Sequence, residues 1–169
     1  MTQHLRLRDL AWSHRRQEIS FEISLKSLKA NDSVAHHDYL DANLLNQILA
    51  LDPACEGIAP FPDHFILHGY LKGSIDLLFQ HPQSNPPRYF IADYKSNWLG
   101  EGETSSLAHY HPNALQLVMT EHLYILQSHI YLVALYRLLQ QKLGHTFNPK
   151  QHMGASLYLF IRGLAGMQS

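Results

Sequence analysis

Between Gln17 and Lys26 the chain alternates, with Ile19, Phe21, Ile23 and Leu25 apolar and Glu18, Ser20, Glu22, Ser24 and Lys26 polar. A period of two puts the apolar side chains on one face and predicts a strand lying on a core. From Asn31 to Leu51 the period changes. Leu40, Leu44, Leu45, Ile48 and Leu49 recur at helical spacing behind the candidate caps Asn31, Asp32 and Ser33, and predict a helix over Val34 to Ala50. The Asp52-Pro53 step, Pro60 and Pro62 break this pattern into a connection.

Two apolar runs follow, FILHGYL and SIDLLF, joined near Lys72-Gly73 as a tight hairpin or a bent strand pair. Gly69 and Gly73 there either take unusual backbone angles or allow another group to approach closely. HPQSNPP reads as a turn-rich loop and RYFIADYKS as a further strand. The polar, glycine-bearing stretch from Asn97 to His111 predicts a mobile or ligand-ordered loop. Pro112, at a helix N1 position, opens a helical pattern to about Lys142 through Leu115, Met119, Leu123, Leu126, Ile130, Val133 and Leu138. Gly144 stops it, and Ala155 to Ile161 predicts the last strand. The order strand, helix, two strands, strand, long helix, strand predicts an α/β fold with a mixed sheet covered by helices.

Composition narrows the classes. With 169 residues, 46% of them hydrophobic and 16% charged, the chain is the size of one folded domain. A formal charge of -1 provides no global attraction to nucleic acid, so any DNA contact needs a local patch or a partner polypeptide. The single cysteine, Cys55, excludes an internal disulfide and a cluster of thiolates on a metal. The 13 histidines are scattered and read as surface or interface residues; His122 and His129 read as local polar residues rather than ligands. No run approaches the 18 continuous apolar residues of a membrane span, and MTQHLRLRDL lacks the apolar stretch of a signal peptide, so a cytoplasmic protein without membrane contact is expected.

The chemistry lies in the strands. Asp76 and Asp93 interrupt apolar runs, where an unpaired carboxylate costs at least several kcal/mol. On adjacent strands they can converge on one hard, oxygen-preferring cation such as Mg²⁺ or Mn²⁺. Lys95 falls on the same side of its strand as Asp93, within reach of a scissile phosphate or an attacking water. An isolated Asp-x-Lys pair is ordinarily a surface ion pair of little worth; the coincidence with Asp76 makes it informative. Glu18 is a candidate further carboxylate, as a direct ligand or as a holder of metal-bound water. Tyr124, Gln127 and Tyr131 share a helix face, where Gln127 can bind a nucleotide or orient Lys95, and tyrosines can stack on bases or bond phosphate. The alternative is a packed helix with amphipathic tyrosines at its border.

GSIDLLF, IADYKSNWLG, LQSHIYLVALYRLL and GASLYLFIRG, in that order over roughly Gln17 to Gly163, resemble the nuclease domain of the exodeoxyribonuclease V beta subunit, RecB, within the PD-(D/E)xK superfamily. The resemblance implies a restriction-endonuclease-like core and Mg²⁺-dependent hydrolysis of DNA phosphodiester bonds, with Mn²⁺ as a possible substitute. It implies Asp76, Asp93 and the backbone carbonyl of Tyr94 as metal ligands and Lys95 as the catalytic lysine. Glu18 corresponds to the acidic residue before the first core strand, and Gln127 and Tyr131 to the helix motif associated with the active site and DNA.

The family's further metal-ligating histidine lies on a helix upstream of that strand, and only His4 and His14 precede Glu18 here. The expectation is a single nuclease domain over residues 1–169, a C-terminal fragment without that helix or the helicase region, acting on single strands delivered by a RecB helicase region with RecC and RecD. The alternative is a catalytically incomplete structural or protein-interaction fragment.

Overall fold

The computed structural model describes residues 6–25, 39–102 and 104–164. In chain order it contains strand β1 (Arg15–Ser24), strand β2 (Tyr39–Asp41), helix α1 (Ala42–Ala50), strands β3 (Ile66–His68), β4 (Tyr70–Gln80) and β5 (Tyr89–Lys95), helices α2 (Pro112–Glu121), α3 (Tyr124–Leu143) and α4 (Pro149–His152), and strand β6 (Met153–Phe160). Four strands form the central sheet in the order β1-β4-β5-β6, and β2 pairs with β3 in a small separate sheet. The β1/β4 and β4/β5 pairs are antiparallel, whereas β5/β6 is parallel. A parallel pair needs a long return connection, and α2 and α3 provide it. The expected α/β fold, a restriction-endonuclease-like core with a central mixed sheet flanked by helices, is the one observed.

Both faces of the sheet are covered. On one, Ile23, Ile75, Leu78 and Ile91 pack against Tyr131, Ala134, Leu135 and Leu139 of α3. On the other, Leu77, Phe79 and Ala92 pack against Leu10, with Leu7, Phe90 and Leu159 partly buried around them. Each fully buried aliphatic side chain contributes about 1.5–3 kcal/mol, so these two layers dominate the stability.

Strict alternation along β4 would put Ile75 and Leu78 on opposite faces. Both instead face α3, while Leu77 and Phe79 face the other layer. The phase therefore resets across Asp76. Opposite it, between the pairs Gln17↔Leu77 and Ile19↔Ile75, the ladder omits Glu18, which has a φ of 50°. One residue on each strand, Glu18 and Asp76, thus stands opposite the other outside the ladder, with the register unchanged on either side.

Three sequence expectations are corrected. The helix begins at Ala42, capped by Asp41, whose carboxylate accepts from the Leu44 amide at 2.8 Å; Val34 and the candidate caps Asn31, Asp32 and Ser33 lie outside the described residues. Lys72-Gly73 is no turn but the interior of β4; the break falls at Gly69, whose φ is 85°. Gly73 serves close approach: it pairs with Phe21, and a Cβ there would sit 2.6 Å from the Phe21 ring. Finally, the helix opened by Pro112 is two helices, parted at Leu123 with a left-handed φ of 54°. Leucine is a good helix former, so no local residue type announces that break.

The stretch after β5 is built rather than plain. Ser106 and His109 cap each other around a 3-10 turn, Leu107–Tyr110, and the buried Tyr110 donates its hydroxyl to the Asn97 carbonyl at 2.9 Å. None of the described helices is long and apolar enough to cross a membrane.

Gly73→Ala is expected to lower stability by about 1–3 kcal/mol through overpacking against Phe21. Urea unfolding checks this, and an unmoved midpoint would show that the ring has room to yield.

Candidate functional site

Asp93 and Lys95 stand two residues apart on β5, so both project to the face that carries Ile91 and α3. Asp93 is only 3% exposed. Its Oδ2 lies 2.6 Å from the Lys95 ammonium, yet this buried oxygen receives no hydrogen bond among the described residues. Lys95 Nζ donates to Gln127 Oε1 at 2.9 Å, and Tyr158 donates its hydroxyl to the same oxygen at 3.2 Å. Gln127 Nε2 in turn donates to the Tyr131 hydroxyl at 2.8 Å. The ammonium also lies 3.9 Å from the ring centre of Tyr124 and 5.2 Å from that of Tyr158. One carboxylate, one amide oxygen and two ring faces therefore hold a single cation in place.

Asp76 enters from the neighbouring strand. Its Oδ2 accepts the Tyr94 amide at 2.8 Å, just past the β4/β5 pair Leu77↔Ala92. The Tyr131 phenol senses both aspartates: its pKa is raised, first by burial, then by the Asp93 charge and a hydrogen bond to Asp93, then by Asp76, with Gln127 acting the other way. The Tyr158 phenol is raised by burial first, then by Asp93, Tyr131 and Tyr124. Both phenols stay neutral donors beside a carboxylate pair.

The fold thus brings together Asp76, Asp93, Lys95, Gln127 and Tyr131. Glu18 stands apart. It is exposed, and its carboxylate accepts from Ser74 Oγ at 3.4 Å instead of joining the two aspartates in a compact three-ligand group. Tyr94 contributes backbone only, its side chain being 43% exposed. Tyr158 was missed by sequence reasoning. It lies in an apolar strand, and only the parallel register Asp93↔Tyr158 places it beside the site. Asn97, just beyond β5, accepts from the Tyr124 hydroxyl at 3.2 Å and fixes that ring over Lys95.

A second cluster was also missed. Asp52, Cys55 and His129 each offer a ligand atom, all within 4.8 Å of one another, making a candidate metal-binding group. It is a different place from the aspartate pair. Residues 127 and 129 of α3 are about 200° apart around the helix, and Cys55 packs with Leu49 and Ile125 rather than with the sheet.

No family model matches the chain. The chain is homologous to part of several RecB subunits. It is 33% identical over 150 residues to "RecBCD enzyme subunit RecB" of Escherichia coli (strain K12), covering 84% of this chain and 12% of that protein. The protein of the same name from Mycobacterium tuberculosis (strain ATCC 25618 / H37Rv) is 31% identical over 171 residues, 96% of this chain and 15% of its own length. That of Haemophilus influenzae (strain ATCC 51907 / DSM 11121 / KW20 / Rd) is 40% identical over 100 residues, 59% of this chain and 8% of the relative. The chain spans less than one sixth of the length of these curated relatives.

Two outcomes follow from the geometry. Gln127→Ala strips acceptors from Lys95 and Tyr158 and a donor from Tyr131, and should cost about 1–3 kcal/mol in chemical denaturation. Because the Tyr131 and Tyr158 phenols titrate higher when folded than the ordinary value of 10.0, the unfolded chain releases these protons first. Their contribution to stability is intact below that value and is lost as pH rises toward the folded pKa. Tyr158→Phe should flatten the alkaline fall in melting temperature; an unchanged slope would count against the burial of this phenol.

Proposed function

We propose that the chain is the nuclease module of a helicase-nuclease, hydrolysing DNA phosphodiester bonds with a divalent metal, Mg²⁺ or, as a substitute, Mn²⁺. The observation that carries this reading is the union of Asp76, Asp93 and Lys95 on two neighbouring strands under Gln127. The similarity to RecB subunits supports it.

The donor set fits a hard cation. It consists of carboxylate oxygens, to which the Tyr94 carbonyl would add a further ligand, and it includes a buried Asp93 oxygen that meets the Lys95 ammonium but has no hydrogen bond among the described residues. When bound, such an ion polarises a phosphate oxygen and lowers the pKa of an attacking water. Asp76 and Asp93 would hold it. Lys95 sets its ammonium where negative charge develops on the phosphate or where the water must be positioned. Gln127 keeps Lys95 from swinging away, and the neutral phenols of Tyr131 and Tyr158 hold Gln127. Glu18, outside the aspartate pair, suits a role through an intervening water, while Tyr124 and the buried Tyr131 serve the network that holds Lys95 and Gln127. The substrate in this reading is single-stranded DNA from an unwound duplex, delivered in the cytoplasm by a RecB helicase region with RecC and RecD.

A second reading, that the chain keeps the fold but cannot cut unaided, is favoured by one observation. Among the described residues, no third ligand side chain joins Asp76 and Asp93 in a compact group.

Incubating the chain with single-stranded DNA and Mg²⁺ or Mn²⁺ separates the readings. Cleavage should fall on the order of 10²-fold or more in Asp93→Ala and in Lys95→Ala. Equal cleavage by all three proteins would defeat the catalytic assignment, and no cleavage by folded wild-type protein with either ion would favour the second reading.

A further inference from the structure

We propose that Asp52, Cys55 and His129 form a second metal site, selective for a borderline-soft ion such as Zn²⁺ and independent of the aspartate pair. Each donor is already aimed. Asp52 opens the 3-10 turn Pro53–Cys55; its Oδ1 accepts the Ala54 amide at 2.9 Å, which leaves Oδ2 to face His129 Nε2 at 3.1 Å. His129 Nδ1 is 2.8 Å from the Ile125 carbonyl, one turn back on α3. A carbonyl can only accept, so Nδ1 carries a proton; Nε2 faces the Asp52 carboxylate, which also only accepts, and an ion entering between them replaces the Nε2 proton and takes its electron pair. That is the arrangement in which a ligating histidine is oriented through its other nitrogen. Cys55 is 5% exposed, and no hydrogen bond to its thiol is found among the described residues.

The chemistry of the set selects the ion. Sulfur, imidazole nitrogen and a single carboxylate suit Zn²⁺ or Co²⁺, whereas Mg²⁺ requires oxygen. Tetrahedral bonds to zinc place neighbouring ligand atoms about 3.5 Å apart, so atoms within 4.8 Å need only a small contraction. A thiolate, a carboxylate and a neutral imidazole cancel the charge of the divalent ion, and the thiol proton and the Nε2 proton facing Asp52 leave to solvent as the ion binds. A cleft lined by Asn46, Asp52, Cys55 and Glu56 adjoins two of the three ligands. An ion held there ties the connection after α1 to α3, whose opposite face carries Gln127.

Co²⁺ added to metal-free protein reads the site directly. With one cysteine in the chain, a thiolate-to-cobalt charge-transfer band reports Cys55 alone. The expected result is that band with tetrahedral visible absorption, saturating at one equivalent, abolished by stoichiometric Zn²⁺ and unaffected by excess Mg²⁺. His129→Gln should weaken Co²⁺ binding at least tenfold, and Asp93→Asn should leave the spectrum unchanged. Zn²⁺ should raise the melting temperature of the wild type but not of Cys55→Ser. Absence of the charge-transfer band in folded wild-type protein would overturn the proposal, as would its loss in Asp93→Asn shown to be folded by circular dichroism.

Discussion

A carboxylate closed off from water at the middle of a sheet must be neutralised where it stands, and Asp93, 3% exposed, imposes that requirement on its surroundings. Left alone, the charge would cost several kcal/mol. Lys95 answers from the same strand, at the shortest spacing that keeps both groups on one face. A buried ammonium then needs acceptors of its own, which Gln127 and the faces of Tyr124 and Tyr158 provide. Each group in the network is thus oriented by the one before it, and the chain of demands begins with one buried charge.

Helix α3 is the element through which this order reaches the rest of the protein. One part of its surface seals the sheet through Leu135 and Leu139; near its start Gln127 and Tyr131 reach the charged pair, and His129 points to the connection after α1. The left-handed residue Leu123 sets the helix off from α2 and so decides where these side chains arrive. Across the sheet, the paired irregularity at Glu18 and Asp76 interrupts the alternation of apolar side chains, and Asp76 reaches the Tyr94 amide from that point. A regular β4 would place Leu78 on the wrong side of the core, so the same interruption serves packing and site geometry.

Much of the fold was legible because burial imposes a period. The alternation of Ile19, Phe21 and Ile23 marked β1, and the helical recurrence of Leu126, Ile130 and Leu138 marked α3. Points where the period stayed intact while the backbone turned were not legible: Leu123 continues an apolar helical stripe through a break, and Gly73 looks like a turn but makes room for Phe21. The site was partly legible for the same reason. Asp93, Lys95, Gln127 and Tyr131 carry their spacing within single elements, and that spacing survives folding.

What the sequence determined by itself was which charged groups had to be partnered, since a carboxylate among apolar neighbours on a strand announces its own cost. What only the tertiary structure decided was who the partners are. Tyr158 meets Asp93 through a parallel register, Glu18 turns to Ser74 where the β1/β4 ladder skips it, and His129 meets Asp52 and Cys55 across a span of more than seventy residues. The reason is physical: periodicity encodes the face on which a side chain lies, whereas contact between elements depends on how their faces pack, and residues distant along the chain share no period.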